Sequence, residues 1–400
     1  MKKSIAIIGS GPASLILAAT LDEALFDIVV YERNFAPARK FLVAGDGGFN
    51  LTHSEDMEQL ITRYTPSIYL EKCLRSFTNI DLQKWLKQLH IETFIGSSKR
   101  VFPVKGIKPI DVLNAILYKL KSRNVRINTK HEWKGWNNKN ELLFRNEEKE
   151  FVVNHDIVVF ALGGASWSKT GSDGKWTAYF NEKGIETIPF QPSNCAFAIN
   201  WDKDFIAKAE GQPLKNISVM CSKKEKKGEI VLTQFGVEGG AVYALSPEIR
   251  KQLEENTTAT IFIDLKPTLT KETIFEKLNS AMNRTISKTL QNEIKLNELQ
   301  IALLKSVLPK EDFVNPINLA LRIKQLPLLI TRMASIEDAI STVGGIALQE
   351  TDENFQLTKL PNHYAIGEML NWDAPTGGYL LQACFSMGYY LANLLNAKNN

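Results

Sequence analysis

The 400-residue chain has only four cysteines, Cys73, Cys195, Cys221 and Cys384, and they are scattered. The absence of any Cys-x-x-Cys pair or Cys/His cluster excludes a zinc centre and a disulfide framework, and fits a reducing compartment. No metal site is expected. No run approaches the roughly 18–20 apolar residues that a membrane helix needs, and there is no internal repeat or low-complexity tract. Charge of one sign is missing too: 48 Lys+Arg against 44 Asp+Glu leave a net +4, so nothing demands a nucleic acid. The one basic run, Lys223-Lys224-Glu225-Lys226-Lys227-Gly228, joins two strand-like segments and reads as a solvated hairpin turn. The N-terminus enters the first motif without a signal-peptide pattern. A cytoplasmic protein without membrane contact is the expectation. With 44% hydrophobic and 23% charged residues the composition is that of a globular protein, and the length predicts two or three domains.

What is present begins at once. Ser4-Ile5-Ala6-Ile7-Ile8 is a run of strand formers ending in Gly9-Ser10-Gly11, and residues 15–25 follow as a helix. Gly9 suits a tight turn, and Gly11 lets backbone approach a pyrophosphate at the helix N-terminus. Pro12 fits the first helical turn, where its missing N–H costs nothing. Ser14 stands at the third glycine position of the fingerprint. Residues 27–31 read as a second strand that delivers Glu32, whose carboxylate can take ribose hydroxyls. Together these predict a dinucleotide site.

The loop around Gly45-Asp46-Gly47-Gly48, flanked by Lys40 and Asn50, reads either as backbone passing close to something flat or charged, or as a surface loop. Residues 132–136, 141–144 and 150–153 predict a three-stranded meander. The apolar strand 156–161 fits a buried parallel sheet and runs into Gly163-Gly164. From about residue 191 strands alternate with polar turns and no helices, which predicts an antiparallel insert; helices then run from Thr270 to about residue 330. The last 65 residues return to strand-glycine-helix signals at Gly367-Glu368 and Gly377-Gly378-Tyr379. The expected domains are 1–190 with 335–400, a β subdomain 191–266 and a helical subdomain 267–334.

These motifs, with 39–54, 96–103, 161–167, Thr170-Gly171-Ser172-Asp173-Gly174, 192–195 and 367–381, resemble the BaiN/YhiN-type flavoproteins of the aminoacetone-oxidase family over nearly the whole chain. The resemblance implies an α/β fold: a glutathione-reductase-like FAD-binding Rossmann domain with an inserted antiparallel β subdomain and a helical cap. It implies noncovalent FAD, with Gly9, Gly11 and Ser14 at the pyrophosphate, Glu32 at the ribose and the backbone around Lys130 at adenine. Lys40, Gly47, Gly48 and Asn50 would lie along the flavin loop, and Gly163 near the dinucleotide. Gly367 and Glu368 would meet the ribityl–pyrophosphate part, and Gly377, Gly378, Tyr379 and Leu380 would face the pyrimidine edge. Family members usually have glycine where Ser14 stands, and the wider family often has Arg-Cys where this chain has Gly48-Phe49, so no thiol or guanidinium mechanism carries over there.

The function implied is an FAD-dependent oxidoreductase that moves hydride through flavin N5 to or from a small organic substrate. Without a second Gly-x-Gly and acid, NAD(P)H is at most a transient donor. Amine oxidation, RNA modification and a non-catalytic redox sensor are the alternatives. His53 is a candidate proton donor, with a loop-anchoring hydrogen bond as its other reading. Lys99, Arg100 and Lys169 are candidate anion holders, and Trp167, Trp176 and Trp372 candidate walls; surface charge and core packing are the plainer readings. Cys195 and Cys384 have no sequence partner that marks a nucleophile.

Overall fold

The computed structural model describes residues 1–43, 49–280 and 285–399. They form two compact units, Met1–Gln191 with Ile340–Asn400, and Pro192–Ala339. The first unit is built on a parallel sheet. Its members are β1 (Lys3–Ile8), β2 (Phe26–Tyr31), β3 (Arg126–Asn128), β4 (Ile157–Phe160) and β5 (His363–Ala365), in the order β5-β4-β1-β2-β3. All four pairings are parallel, with Ile8 level with Tyr31 on one side and Phe160 on the other. Helices cover the sheet, so the central strands are apolar without alternation, and Ile5, Ala6 and Ile7 have no exposed surface.

Helix α1 (Pro12–Thr20) follows β1, and all seven residues 13–19 are buried. The long final helix, α2 (Tyr379–Asn399), packs along it. Gly388 makes that approach: a Cβ there would stand 2.3 Å from the Ala13 carbonyl oxygen and 2.6 Å from Ile16 Cγ2. The expected meander is present as Glu132–Trp136, Leu142–Arg145 and Glu150–Val153. A further small antiparallel sheet joins Thr52–His53, Arg100–Pro103 and Thr93–Ile95. The paired strands Thr187–Ser193 and Ser341–Ile346 carry the chain out of this unit and back.

The second unit has its own apolar core inside a closed, six-stranded antiparallel barrel. Three details differ from the sequence reading. Helices Lys203–Ala209 and Ser246–Asn256 interrupt the strands, where polar turns alone were expected. Each buries only a narrow stripe in a charged run, Phe205 with Ala209 and Ile249 with Arg250, so its periodicity is faint. The stretch taken as the end of the helical run is strand Leu326–Met333, which closes the barrel. Leu326, Leu328 and Ile330 point inward and Leu329 is 53% exposed, a period of two that the preceding helices obscure. Most of the basic run lies on strand Lys224–Leu232 with exposed side chains; the turn itself starts at Ser222.

The helices from Lys271–Ser280 to Pro316–Lys324 all fall between two barrel strands, Ala259–Asp264 and Leu326–Met333. Among the described residues, no helix is long and apolar enough to cross a membrane, and no cluster of three His, Cys, Asp or Glu could hold a metal.

Candidate functional site

A cleft crosses the C-terminal ends of β1, β2, β4 and β5, the edge at which open parallel sheets take ligands. Gly9 turns the chain out of β1 at φ +99°, and a Cβ there would stand 2.3 Å from the Ala161 carbonyl oxygen. Only glycine accepts both. A Cβ on Gly11 would meet nothing within 4 Å, so the backbone before α1 lies open. No side chain caps α1, which leaves its first-turn amides and positive dipole end available to an anion. Ser14 is fully buried and donates its hydroxyl to the Gly9 carbonyl at 2.6 Å, so the third fingerprint position braces the turn.

Glu32 is 8% exposed at the end of β2. Its Oε1 accepts from the Asn34 amide at 2.7 Å and from Asn34 Nδ2 at 2.9 Å, and its Oε2 accepts from the Ser10 hydroxyl. Arg33 reaches over to both Asp173 carboxylate oxygens at 3.2 Å and donates to the Gly171 carbonyl. This strap between two loops had no signal in the sequence beyond the polar, glycine-rich run at 170–174.

The other half of the cleft comes from the two ends of the chain. Gly163 and Gly367, with φ +73° and +85°, both line it. Trp176 donates its indole N–H to the Gly163 carbonyl at 3.2 Å and Trp372 does so to that of Gly367 at 2.8 Å, so these tryptophans prop the glycine turns. Lys40 meets the Glu368 carboxylate at 3.0 Å and the Ser166 hydroxyl at 2.8 Å. Lys130 turns its ammonium to Glu147 at 3.0 Å, and His131, Glu132, Trp133 and Lys134 line the cleft in its place. Gly47 and Gly48 lie outside the described residues, and Asn50 is half-buried. Lys99, Lys169 and Trp167 are exposed. Cys384 lines the cleft, but burial pushes its thiol up to about 12, with Glu368 adding to the effect, so it stays protonated.

At the start of α2, Gly377 and Gly378 are both left-handed, and a Cβ on Gly378 would lie 2.5 Å from Thr52 Cα. Tyr379 donates to Glu55 Oε1 at 2.6 Å, and Arg63 holds both Glu55 oxygens at 3.1 and 2.8 Å. Leu380, next on α2, is half-buried. The His53 ring stacks on Tyr379 with centroids 5.2 Å apart, and its Nδ1 accepts the Glu55 amide at 3.2 Å. Burial lowers the His53 pKa, with Glu55 and the Ser98 backbone opposing it. A neutral ring bonded to backbone is the loop-anchoring geometry. Burial, then Glu55, raises the Tyr379 pKa and keeps the phenol protonated.

Burial pushes the Glu55 carboxyl up, but the hydrogen bonds from Arg63 and Tyr379 outweigh it and the net shift is downward. A depressed folded value gives a contribution that is complete above the ordinary 4.5 and is lost as pH falls through the lower folded value. Denaturant midpoints taken from about pH 6 to about pH 3 should therefore fall more steeply for the wild type than for Glu55→Gln.

The HI0933-like protein Rossmann domain family matches residues 3–394. The chain belongs to that family. It includes the BaiN/YhiN-type flavoproteins, and this HI0933-like chain is an FAD-dependent oxidoreductase. A relative from Clostridium scindens, 3-dehydro-bile acid delta(4,6)-reductase, is 23% identical over 410 residues, covering 96% of this chain and 97% of the relative. The 3-ketosteroid-delta4-(5alpha)-dehydrogenase of Rhodococcus jostii RHA1, solved with 4-androstene-3,17-dione, shares the fold with a TM-score of 0.52 at 13% identity. That match covers 100% of this chain and 97% of the other. The cleft of the HI0933-like chain fits a dinucleotide such as FAD in two respects: an uncapped helix start behind an open Gly11, and a buried acid at the end of β2.

Proposed function

We propose that this enzyme oxidises or reduces a carbon–carbon bond conjugated to a ketone in a flat, largely apolar ring compound. The observation that carries the reading is the meeting of two glycine half-sites, Gly9–Gly11 and Gly367-Glu368, in one cleft. The substrate class is suggested by the bile acid reductase relative. Gly9, Gly11 and Ser14 would hold the pyrophosphate of FAD, Glu32 the adenosine ribose, and Gly163, Gly367 and Glu368 the middle of the cofactor. Lys40 would act through its ion pair with Glu368, and the backbone at the opening of α2 would serve the flavin end. Bound FAD supplies a two-electron hydride acceptor and donor at N5. In the reductive direction the β-carbon gains a hydride and the α-carbon a proton, and NAD(P)H provides the two electrons. Among the described residues there is no second turn of the Gly9–Gly11 kind with a downstream acid, so the nicotinamide nucleotide would dock transiently. Tyr379, kept protonated, and Glu55, kept ionised by Arg63, would set the proton inventory at the opening of α2.

Anaerobic mixing of the yellow protein with NADPH and with NADH should bleach the visible flavin band, and a conjugated ring ketone should restore it. Bleaching by a primary amine and by neither nucleotide would replace this reading with an amine oxidase. Glu32→Ala should weaken FAD binding by on the order of 1.5–3 kcal/mol if the ribose contacts are charge-assisted. The titration needs an apoprotein melting control, because the change also leaves Ser10 and Asn34 without their acceptor.

We also propose that the first unit is a self-sufficient FAD domain and that the second is an insertion. The exit and return strands, Thr187–Ser193 and Ser341–Ile346, pair with each other, so a short linker can replace residues 192–339. The excised protein should keep FAD and lose turnover. A folded product that cannot bind FAD would overturn this division.

A further inference from the structure

The small antiparallel sheet of the first unit presents a flat face beside the opening of α2. His53 lies opposite Arg100, and Phe94 opposite Phe102. Positions 100 and 102 share a face by the two-residue period of a strand, so these four side chains stand on one side. Val101, on the other side, is fully buried. The rings of Phe94 and Phe102 stack with centroids 5.6 Å apart at 27°, although Phe94 is 48% exposed. Gly96 lies against the second ring, where a Cβ would stand 3.0 Å from Phe102 Cε2, so its missing side chain keeps the face flat.

Arg100 is half-buried, yet its guanidinium makes no hydrogen bond or ion pair among the described residues. Its Nε lies 3.5 Å from where a Cβ of Gly377 would stand, which sets it against the turn that opens α2. Lys99, exposed in the tight turn that Gly96 and Arg100 close, adds a second positive charge beside it. Along this face the order is exposed aromatic rings, an unpaired cation, and the helix opening that the reading above gives to the flavin. A reduced nicotinamide dinucleotide has its parts in the same order: a flat adenine, a diphosphate, and the flat ring that donates hydride. Aromatic side chains stack on a base whatever its identity, and a planar guanidinium holds phosphate oxygens through two parallel hydrogen bonds. Laid along the face in this order, the nucleotide turns its reacting ring toward the flavin end.

We propose that this face is the docking site of NAD(P)H, with adenine on Phe94 and Phe102, the diphosphate on Arg100 and the dihydronicotinamide at the opening of α2. The assignment rests on the nicotinamide-linked part of the reading above. It gives the donor a site in a chain without a second Rossmann half-site among the described residues. Hydride leaves C4 of the dihydronicotinamide for flavin N5, the donor departs as the pyridinium, and the flavin passes both electrons on to the substrate. Adenine and diphosphate are common to both nucleotides, so Phe94 and Arg100 serve NADH and NADPH alike.

Binding is read without turnover, by saturation-transfer NMR titration of the FAD-loaded protein with NADP+ and with NAD+. Arg100→Gln should weaken both about tenfold, and Arg100→Lys should recover part of the loss. Phe94→Ser should weaken both about fivefold or more and remove the saturation of the adenine protons. A kinetic comparison sets anaerobic bleaching of the flavin by NADPH against bleaching by 1-benzyl-1,4-dihydronicotinamide, which has the reacting ring without phosphate or adenine. Arg100→Gln should raise the half-saturating NADPH concentration about tenfold, keep the limiting rate within about twofold and leave the benzyl donor unaffected. Equal effects on the two donors, or none on either, would overturn the site while leaving nicotinamide-linked reduction intact. An effect on NADP+ alone would also overturn it, by moving the contact to the 2′-phosphate. So would an effect confined to reoxidation by 4-androstene-3,17-dione, which would give the face to the ring ketone. If neither NADPH nor NADH bleaches the wild-type flavin, the nicotinamide-linked reading falls, and this inference with it.

Discussion

Gly9→Ala should purify as a folded, colourless protein. The substitution asks an L-residue to hold φ +99° and to keep its Cβ 2.3 Å from the Ala161 carbonyl oxygen, where ordinary contact begins above 3 Å. The left-handed backbone alone costs about 1–2 kcal/mol, and the contact cannot be relieved by rotating a side chain, since both partners are backbone. The turn must shift, and with it the first-turn amides of α1 that would hold the pyrophosphate. The combined loss in FAD affinity should be on the order of 3 kcal/mol or more, at least a hundredfold. The ratio of visible to protein absorbance after purification reads it directly, and a titration of apoprotein with FAD measures it. An alanine variant that retains wild-type colour would mean that the turn is not the cofactor's seat. Gly11→Ala is the control, because a Cβ there meets nothing in the chain itself: the apoprotein should melt normally, and any loss of FAD must come from crowding the ligand.

The second large effect is on stability, and its sign is the test. In an unconstrained helix, Gly388→Ala would stabilise by about 1 kcal/mol through helix propensity. Here the added methyl would stand 2.3 Å from the Ala13 carbonyl oxygen and 2.6 Å from Ile16 Cγ2, so α2 and α1 must separate by roughly an ångström. Overpacking of that kind costs about 1–3 kcal/mol and opens space elsewhere along the facing sides of the two helices. The net should be destabilisation of the apoprotein by about 1 kcal/mol, read from its denaturant midpoint. A neutral or stabilising result would show that the two helices slide apart without penalty. The expected loss of FAD is smaller than for Gly9→Ala, because the shift reaches the cleft only through α1.

The elements legible in the residue order were those whose evidence is local. A run of strand formers, a Gly-x-Gly turn, Pro12 at a helix start and an acid closing the next strand are neighbours in the chain, and they are neighbours in the cleft. The continuous apolar strand at 157–160 marked a sheet covered on both faces, because no alternation is needed when neither face meets water. The barrel insert was legible as antiparallel from its turns, but its closure was not. Strand Leu326–Met333 follows a run of helices and contains a proline, so only its pairing with Ala259–Asp264 and Phe197–Ile199 defines it.

The polar groups around the cleft follow the same division. Residue order by itself determined the Rossmann character of the first unit, the place of its glycine turns and the acid that follows β2, since each depends on residues within one turn or one strand. Tertiary structure alone decided that Arg33 straps to Asp173, that Lys40 is paired with Glu368, that Tyr379 and Arg63 share Glu55, and that Gly388 is the point where α2 rests on α1. All but Arg63–Glu55, eight positions apart, join residues more than a hundred positions apart. A charged side chain in a loop carries no periodic mark of its partner, and a glycine in a helix interior looks like a weak spot until the backbone lying against it is known.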